Sequence, residues 1–277
     1  MSELEKSSDN IYSLNRNEDN NEMIVKPKKD FFIKGVLIFG CLFFLFSLYE
    51  LNIDYSNLLE GTVAFFIMLG DMFPPNISEW AYVLPAAIES LQVAILGTVI
   101  AVVISLVLAF LAAENLAPNK WVARIVKSFA TLMRVIPTII WALIFIVAVG
   151  LGPLPGVLAI AVHSLGMLIK VFAQSVEEMD GGKIEALKAS GAGSVQIIAQ
   201  GVIPTVLTAL MAWTILRLEI DIGESTILGL VGAGGIGWEL MRAMRSYDFN
   251  TALFITMVIF VMIFSVEMLS NRLKLKV

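Results

Sequence analysis

Charge is scarce in this sequence, and so are the residues that build most reactive centres. Of 277 residues only 16% are charged, one is cysteine (Cys41) and one is histidine (His163). A single cysteine excludes an internal disulfide framework and any cysteine-built metal site. One histidine leaves little material for a ligand cluster or a nucleophile–base pair, so no metal site is expected. No GxxxxGK[ST] phosphate loop occurs anywhere, and the chain cannot hydrolyse ATP alone. The formal net charge of −5 gives no support to nucleic-acid binding.

What the chain has instead is apolar length. Hydrophobic residues make up 58% of it and the mean hydropathy is +0.83, whereas a soluble domain is about half apolar and about a quarter charged. The excess is gathered into runs. A helix needs about 20 residues to cross a hydrocarbon core, and six stretches qualify: 31–49, 88–113, 129–151, 154–172, 197–216 and 252–269. A shorter patch, 62–69, ends at Asp71 and the Pro74–Pro75 pair and is expected to be an interfacial helix. Lipid offers no partner to a free backbone amide, so the spans must be helical even where valine and isoleucine dominate. The expected fold is an all-α integral membrane protein with six transmembrane helices.

Residues 1–30 are polar, lack the apolar content to fold and read as a disordered tail. No small-x-small cleavage site follows the first apolar run, which is taken as a retained span. Segment 31–84 holds that span and an external stretch, and 85–277 the core, with a polar loop at 174–196. Lysine and arginine set the orientation. Lys26, Lys28, Lys29, Lys34, Lys120, Arg124, Lys127, Lys183, Lys188, Arg272, Lys274 and Lys276 fall on one side, while on the other 50–84 has none and the last outer segment has just Arg242 and Arg245. Both termini are therefore expected in the cytoplasm.

The polar loop carries Glu177, Glu178 and Asp180, then Gly181–Gly182, then a short helical pattern ending at Gly191. By pattern alone it could be an ordinary amphipathic connector on the membrane surface. Its residues say more. Glu185-Ala186-Leu187-x-x-x-Gly191, with Ile203-Pro204 beyond it, resembles the Glu-Ala-Ala-x-x-x-Gly, nine residues, Ile-x-Leu-Pro loop (the EAA motif) of ABC importer permeases. Glu185, Ala186, Gly191 and Pro204 match by position. Leu187 stands for the third alanine, Gly201 for the isoleucine and Ile203 for the leucine. Arg134-Val-Ile-Pro137, Ala161-Val-His-Ser-Leu-Gly166 and Thr226-Ile-Leu-Gly-Leu-Val-Gly-Ala-Gly-Gly-Ile-Gly237 are similar to the phosphonate/phosphite branch of those permeases.

The resemblance implies a type I importer architecture like that of methionine importers, in a bacterial inner membrane. It implies that 183–191 is a coupling helix seated on a separate ATPase, and that two such ATPases bind ATP and Mg while this chain binds no cofactor. It further implies a solute-binding protein outside; closed two-fold assembly, the default for identical subunits, makes a second permease copy the expected partner. The alternatives are a stand-alone secondary transporter, which should show matched inverted repeats, and an intramembrane enzyme, for which convergent groups are lacking.

Gly232-Ala-Gly234-Gly235-Ile-Gly237 fits the GxGxxG dinucleotide pattern, but that reading needs a preceding strand. A tight turn or close helix contact near an outer gate is the competing reading. Arg217, Asp221 and Glu224 share a helix face, with Glu219 on another. They line a substrate path together with Ser225, Thr226 and His163, or Arg217 and Asp221 form a structural pair near the outer interface. The phosphonate branch carries an arginine near Gly223 and a small residue at Glu224, so this chain is more acidic there. His163 reads as an interhelical hydrogen-bonding group.

Overall fold

The computed structural model describes residues 12–16, 23–27, 31–51 and 54–274. They fall into two compact units divided between Phe65 and Phe66. In the first, β1 (Tyr12–Arg16) pairs antiparallel with β2 (Met23–Pro27), Leu14 opposite Val25. This pairing lies within the segment 1–30 expected to lack structure, the rest of which falls outside the described residues. Helix α1 (Phe31–Glu50) exposes its apolar residues all round, as suits a helix whose solvent is hydrocarbon. Helix α2 (Tyr55–Asp71) is longer than the 62–69 patch. It starts early because the Asp54 carboxylate accepts hydrogen bonds from the Ser56 N–H (2.9 Å) and hydroxyl (2.6 Å). These donors hold the exposed Asp54 carboxyl below the usual carboxylate range. At about 1.5 Å per residue, its 17 residues fall short of a hydrocarbon core.

The second unit is built around α3 (Trp80–Ala112), α4 (Lys120–Val135), α5 (Thr138–Val149), α6 (Pro153–Glu177), α7 (Gly181–Ala189), α8 (Ile203–Leu230), α9 (Ile236–Arg245) and α10 (Phe249–Lys274). Among the described residues five helices, α1 of the first unit included, are long and apolar enough to cross a membrane, six if α4 and α5 count as one bent span. The third expected span is thus broken, the two halves meeting at 86°. Pro137 has no N–H and its ring drives Ile136 into extended backbone (φ −76°, ψ 121°). Helix α8 also runs past the expected end at 216, to Leu230.

More than half of α6 is buried, making it the central rod. In lipid, helices associate by close packing rather than by expulsion of water, so small residues line the contacts. A Cβ at Gly97 of α3 would lie 2.6 Å from Ile160 Cγ2, and one at Gly166 of α6 would lie 2.5 Å from the Ala130 carbonyl of α4. One apolar cluster gathers Val83, Ala94, Ile160, Ile222 and Ile255. Another gathers Ala101, Leu168, Phe172, Ile197 and Val202. On α3, α6 and α8 the boundary between them falls at Thr98, Ser164 and Arg217–Asp221, all buried.

Candidate functional site

That boundary is a polar layer inside the helix bundle. Arg217 Nη2 meets Asp221 Oδ1 at 2.5 Å and Glu224 Oε1 at 3.1 Å. Arg217 Nε donates to Ser164 Oγ (2.9 Å), and that hydroxyl donates to Asp221 (2.8 Å to Oδ2). Thr98 Oγ1 donates to Asp221 Oδ2 (2.7 Å), and Thr138 Oγ1 to Glu224 Oε2 (2.6 Å). The one-face spacing expected for Arg217, Asp221 and Glu224 is what lets a single guanidinium reach both carboxylates.

Exposure separates their roles. The Arg217 and Asp221 side chains are 4% and 0% exposed, that of Glu224 23%. Burying a charge is tolerable only where it is paired and hydrogen-bonded, and the pair meets that condition through α3, α6 and α8. Glu224 is the edge of the layer that reaches open space. The pair lies inside α8, which continues beyond it to Leu230.

The other expected path residues do not all join this layer. Glu219 faces away and accepts from Ser270 (2.7 Å) and Lys274 (2.8 Å) of α10. Ser225 Oγ bonds back to the Ile222 carbonyl (2.7 Å), and the buried Thr226 Oγ1 has no partner among the described residues. His163 Nδ1 donates to the Ile136 carbonyl (3.1 Å), satisfying an oxygen left free at the α4–α5 break. Thr98, Thr138 and Ser164 were not singled out from sequence; polar residues embedded in apolar runs were the available signal.

The glycine run closes α8 onto α9. Gly232, Gly234 and Gly235 have φ of 101°, 78° and 74°, a left-handed region closed to most side chains. A Cβ on Gly237 would overlap the Thr226 carbonyl, so the two helices touch backbone to backbone. The loop is held against α3: Gly235 N–H donates to Glu89 Oε1 (3.2 Å) and Ile236 N–H to Ser90 Oγ (2.9 Å). A helix, not a strand, precedes the run, so the dinucleotide context is absent.

The polar loop expected at 174–196 holds α7, nine residues long. Asp180 caps its start, accepting from Gly182 N–H (3.0 Å). Gly191, at φ 82°, lets the chain turn away at its end. Glu185, Ala186 and Lys188 are exposed while Leu187 is half-buried. A π-helical turn, Ile197–Val202, then runs without a break into α8, with Pro204 just beyond it, where the regular i to i−4 hydrogen bonding is already interrupted. Just before α7, Lys127 of α4 bridges Glu177 (2.8 Å) and Glu114 (3.2 Å), and Glu177 also accepts the Glu114 N–H (2.8 Å). Among the described residues no group of three or more His, Cys, Asp or Glu side chains is placed to hold a metal ion.

Residues 105–277 match the family model described as "binding-protein-dependent transport system inner membrane component". The chain is 37% identical to the phosphite transport system permease protein PtxC of Stutzerimonas stutzeri, over 87% of this chain and 85% of that protein. It is 37% identical to the phosphate-import permease protein PhnE of Mycolicibacterium smegmatis, over 82% of this chain and 43% of that one. Among solved structures, an inward-facing conformation of the MetNI methionine ABC transporter shares the fold, with a TM-score of 0.64 at 20% identity, covering 72% of this chain and 97% of that chain.

Proposed function

Since this chain belongs to the binding-protein-dependent transport system inner membrane component family, we propose that it passes a phosphite-, phosphonate- or phosphate-type oxyanion inward across the membrane, driven through α7 by separate ATPase subunits. The chain is the permease of an ABC importer, a multi-pass inner-membrane subunit with no catalytic step of its own. The cargo class is supported by relatives named for phosphite and phosphate transport.

The observation that carries the coupling reading is the form of residues 180–204. The stretch that resembles the family's EAA loop is a short helix capped at both ends and joined directly to the long α8. A stiff element between two spans transmits a rigid-body displacement, which a slack loop cannot. Glu185 and Ala186 are exposed to meet a partner, and Gly191 and Pro204 set the turns that follow.

The working assembly is a homodimer of this chain with two ATPases, which hold ATP and Mg, and a solute-binding protein on the far side. The lysine and arginine distribution supports cytoplasmic termini. Within the bundle the Arg217–Asp221 pair is scaffold, sealed from any solute, and Glu224 is the group that borders the path. An acidic border repels an oxyanion, so recognition of the anion falls mainly to the binding protein, with Ser225 and Thr226 as neutral neighbours. The glycine run, Gly232 to Gly237, forms the outer gate.

Radiolabelled phosphite uptake tests this in cells carrying the chain with a cognate ATPase and binding protein. Uptake should stop on ATP depletion, persist when an uncoupler collapses the proton gradient, and be competed by phosphonates and phosphate. Uptake that follows the proton gradient makes the chain a secondary transporter; indifference to all phosphorus oxyanions removes the cargo class.

A further inference from the structure

Gly201 sits inside a helical turn, buried, and is not among the glycines with positive φ. Glycine is unfavourable in a helix interior, and no backbone conformation requires it here. Space does. A Cβ on Gly201 would overlap Leu187 Cδ1 of α7. Leu187 is half-buried between exposed neighbours and packs against the apolar cluster that includes Ile197 and Val202. Its backbone is fixed as firmly as its side chain: the Leu187 carbonyl accepts from the Ala192 N–H (3.1 Å) and from Ser190 Oγ (2.8 Å).

We infer that Leu187 is the positioning residue that locks α7 to α8, with Gly201 as its socket. The inference rests on the coupling role proposed above and adds the contact that makes it work. The loop pattern this chain resembles has a small residue at the position of Leu187 and a large one, isoleucine, at that of Gly201. Here the two sizes are exchanged across one contact. The bulk that α8 would extend toward the short helix comes instead from the short helix toward α8. Either arrangement fills the same gap, because packing is sensitive to total volume and tolerates a volume-conserving swap. Leu187 is not a contact to the ATPase in this reading. Its neighbours on the exposed face, Glu185 and Ala186, are.

A seated knob makes displacement of α7 into displacement of α8. An empty socket lets the short helix rock on Gly191 while α8 stays behind. Such slippage wastes hydrolysis without abolishing it, which separates positioning from mere folding.

The test uses the assembled transporter in proteoliposomes, with ATP hydrolysis and phosphite uptake measured on the same sample. Leu187→Ala should keep ATPase binding and hydrolysis while uptake per ATP falls about tenfold, the loss expected of an emptied socket. Gly201→Ile alone should lose uptake. Leu187→Ala combined with Gly201→Ile should return uptake per ATP to within about threefold of the wild type, the non-additivity of residues that share one contact. Leu187→Met, which still fills the socket, should couple normally. A double variant no better than its worse parent, or an unchanged ratio in Leu187→Ala, overturns the inference while leaving the importer reading intact. A wild-type chain that assembles with no ATPase overturns both.

Discussion

Trp141 donates its indole N–H to the carbonyl of Met133 at 3.2 Å. In an unbroken helix that oxygen would receive the N–H of the residue four positions on, which is Pro137 and has none. The indole therefore supplies the donor the proline withholds. With His163 on the Ile136 carbonyl, two oxygens at the α4–α5 break are satisfied by side chains, as the interior of a bilayer favours.

Trp141→Phe keeps an aromatic ring beside Phe145 while removing the donor and part of the indole's bulk. The expected cost is about 1–3 kcal/mol from the unsatisfied carbonyl, seen as a lower melting temperature in detergent. Trp141→Phe with an unchanged melting temperature would mean that the break is held by packing alone.

Arg217→Ala leaves the fully buried Asp221 carboxylate without its guanidinium. Breaking a buried pair costs about 3–5 kcal/mol, whereas replacing both partners by apolar residues is often neutral. Size-exclusion profiles should show aggregated Arg217→Ala and monodisperse Arg217→Met/Asp221→Leu. Stable Arg217→Ala protein with altered uptake alone would place Arg217 on the path, contrary to the scaffold role.

Glu224→Gln keeps the shape of the partly exposed side chain and removes its charge. The folded protein should persist, and uptake of an anionic cargo should be maintained or rise as repulsion is relieved. A fall of tenfold or more, about 1.4 kcal/mol, would show instead that transport needs the carboxylate.

Gly237→Ala drives a methyl into the backbone of Thr226, which cannot rotate away as a side chain would. Overpacking of this kind costs about 1–3 kcal/mol, and uptake should be lost while insertion in the membrane is retained. Gly191→Val meets a different obstacle, the left-handed φ of 82°. Gly191→Asn should be tolerated far better, since asparagine visits that region. Equal uptake by the valine and asparagine variants would exclude backbone conformation as the reason for glycine there.

Hydropathy made the spans legible because apolar length is a local property, and the loop at 174–196 stood out because polar residues interrupt it. The end of α8 did not. Arg217, Asp221 and Glu224 depress any hydropathy window, so the span seemed to close at 216. In the fold these groups neutralise one another and the helix continues to Leu230. Their partners were hidden for a related reason: Ser164 lies 53 positions from Arg217 and Thr98 lies 123 from Asp221. Nothing local to a lone hydroxyl announces such a distant contact. Pro137 is a local signal for a break, but nothing local to it specifies the 86° between the two halves.

The Lys127 bridge has a mechanical corollary. Of the two stems that join α7 to the membrane, the one descending from α6 is moored, because Glu177 is tied to α4 and to the corner after α3. The other carries Gly201, against which Leu187 of α7 is seated. On the coupling proposed above, a push on α7 would be steered into α8 while α6 stands as a post. Ser164 of α6 is where those two rods are tied: its hydroxyl accepts from the guanidinium and donates to the carboxylate of α8.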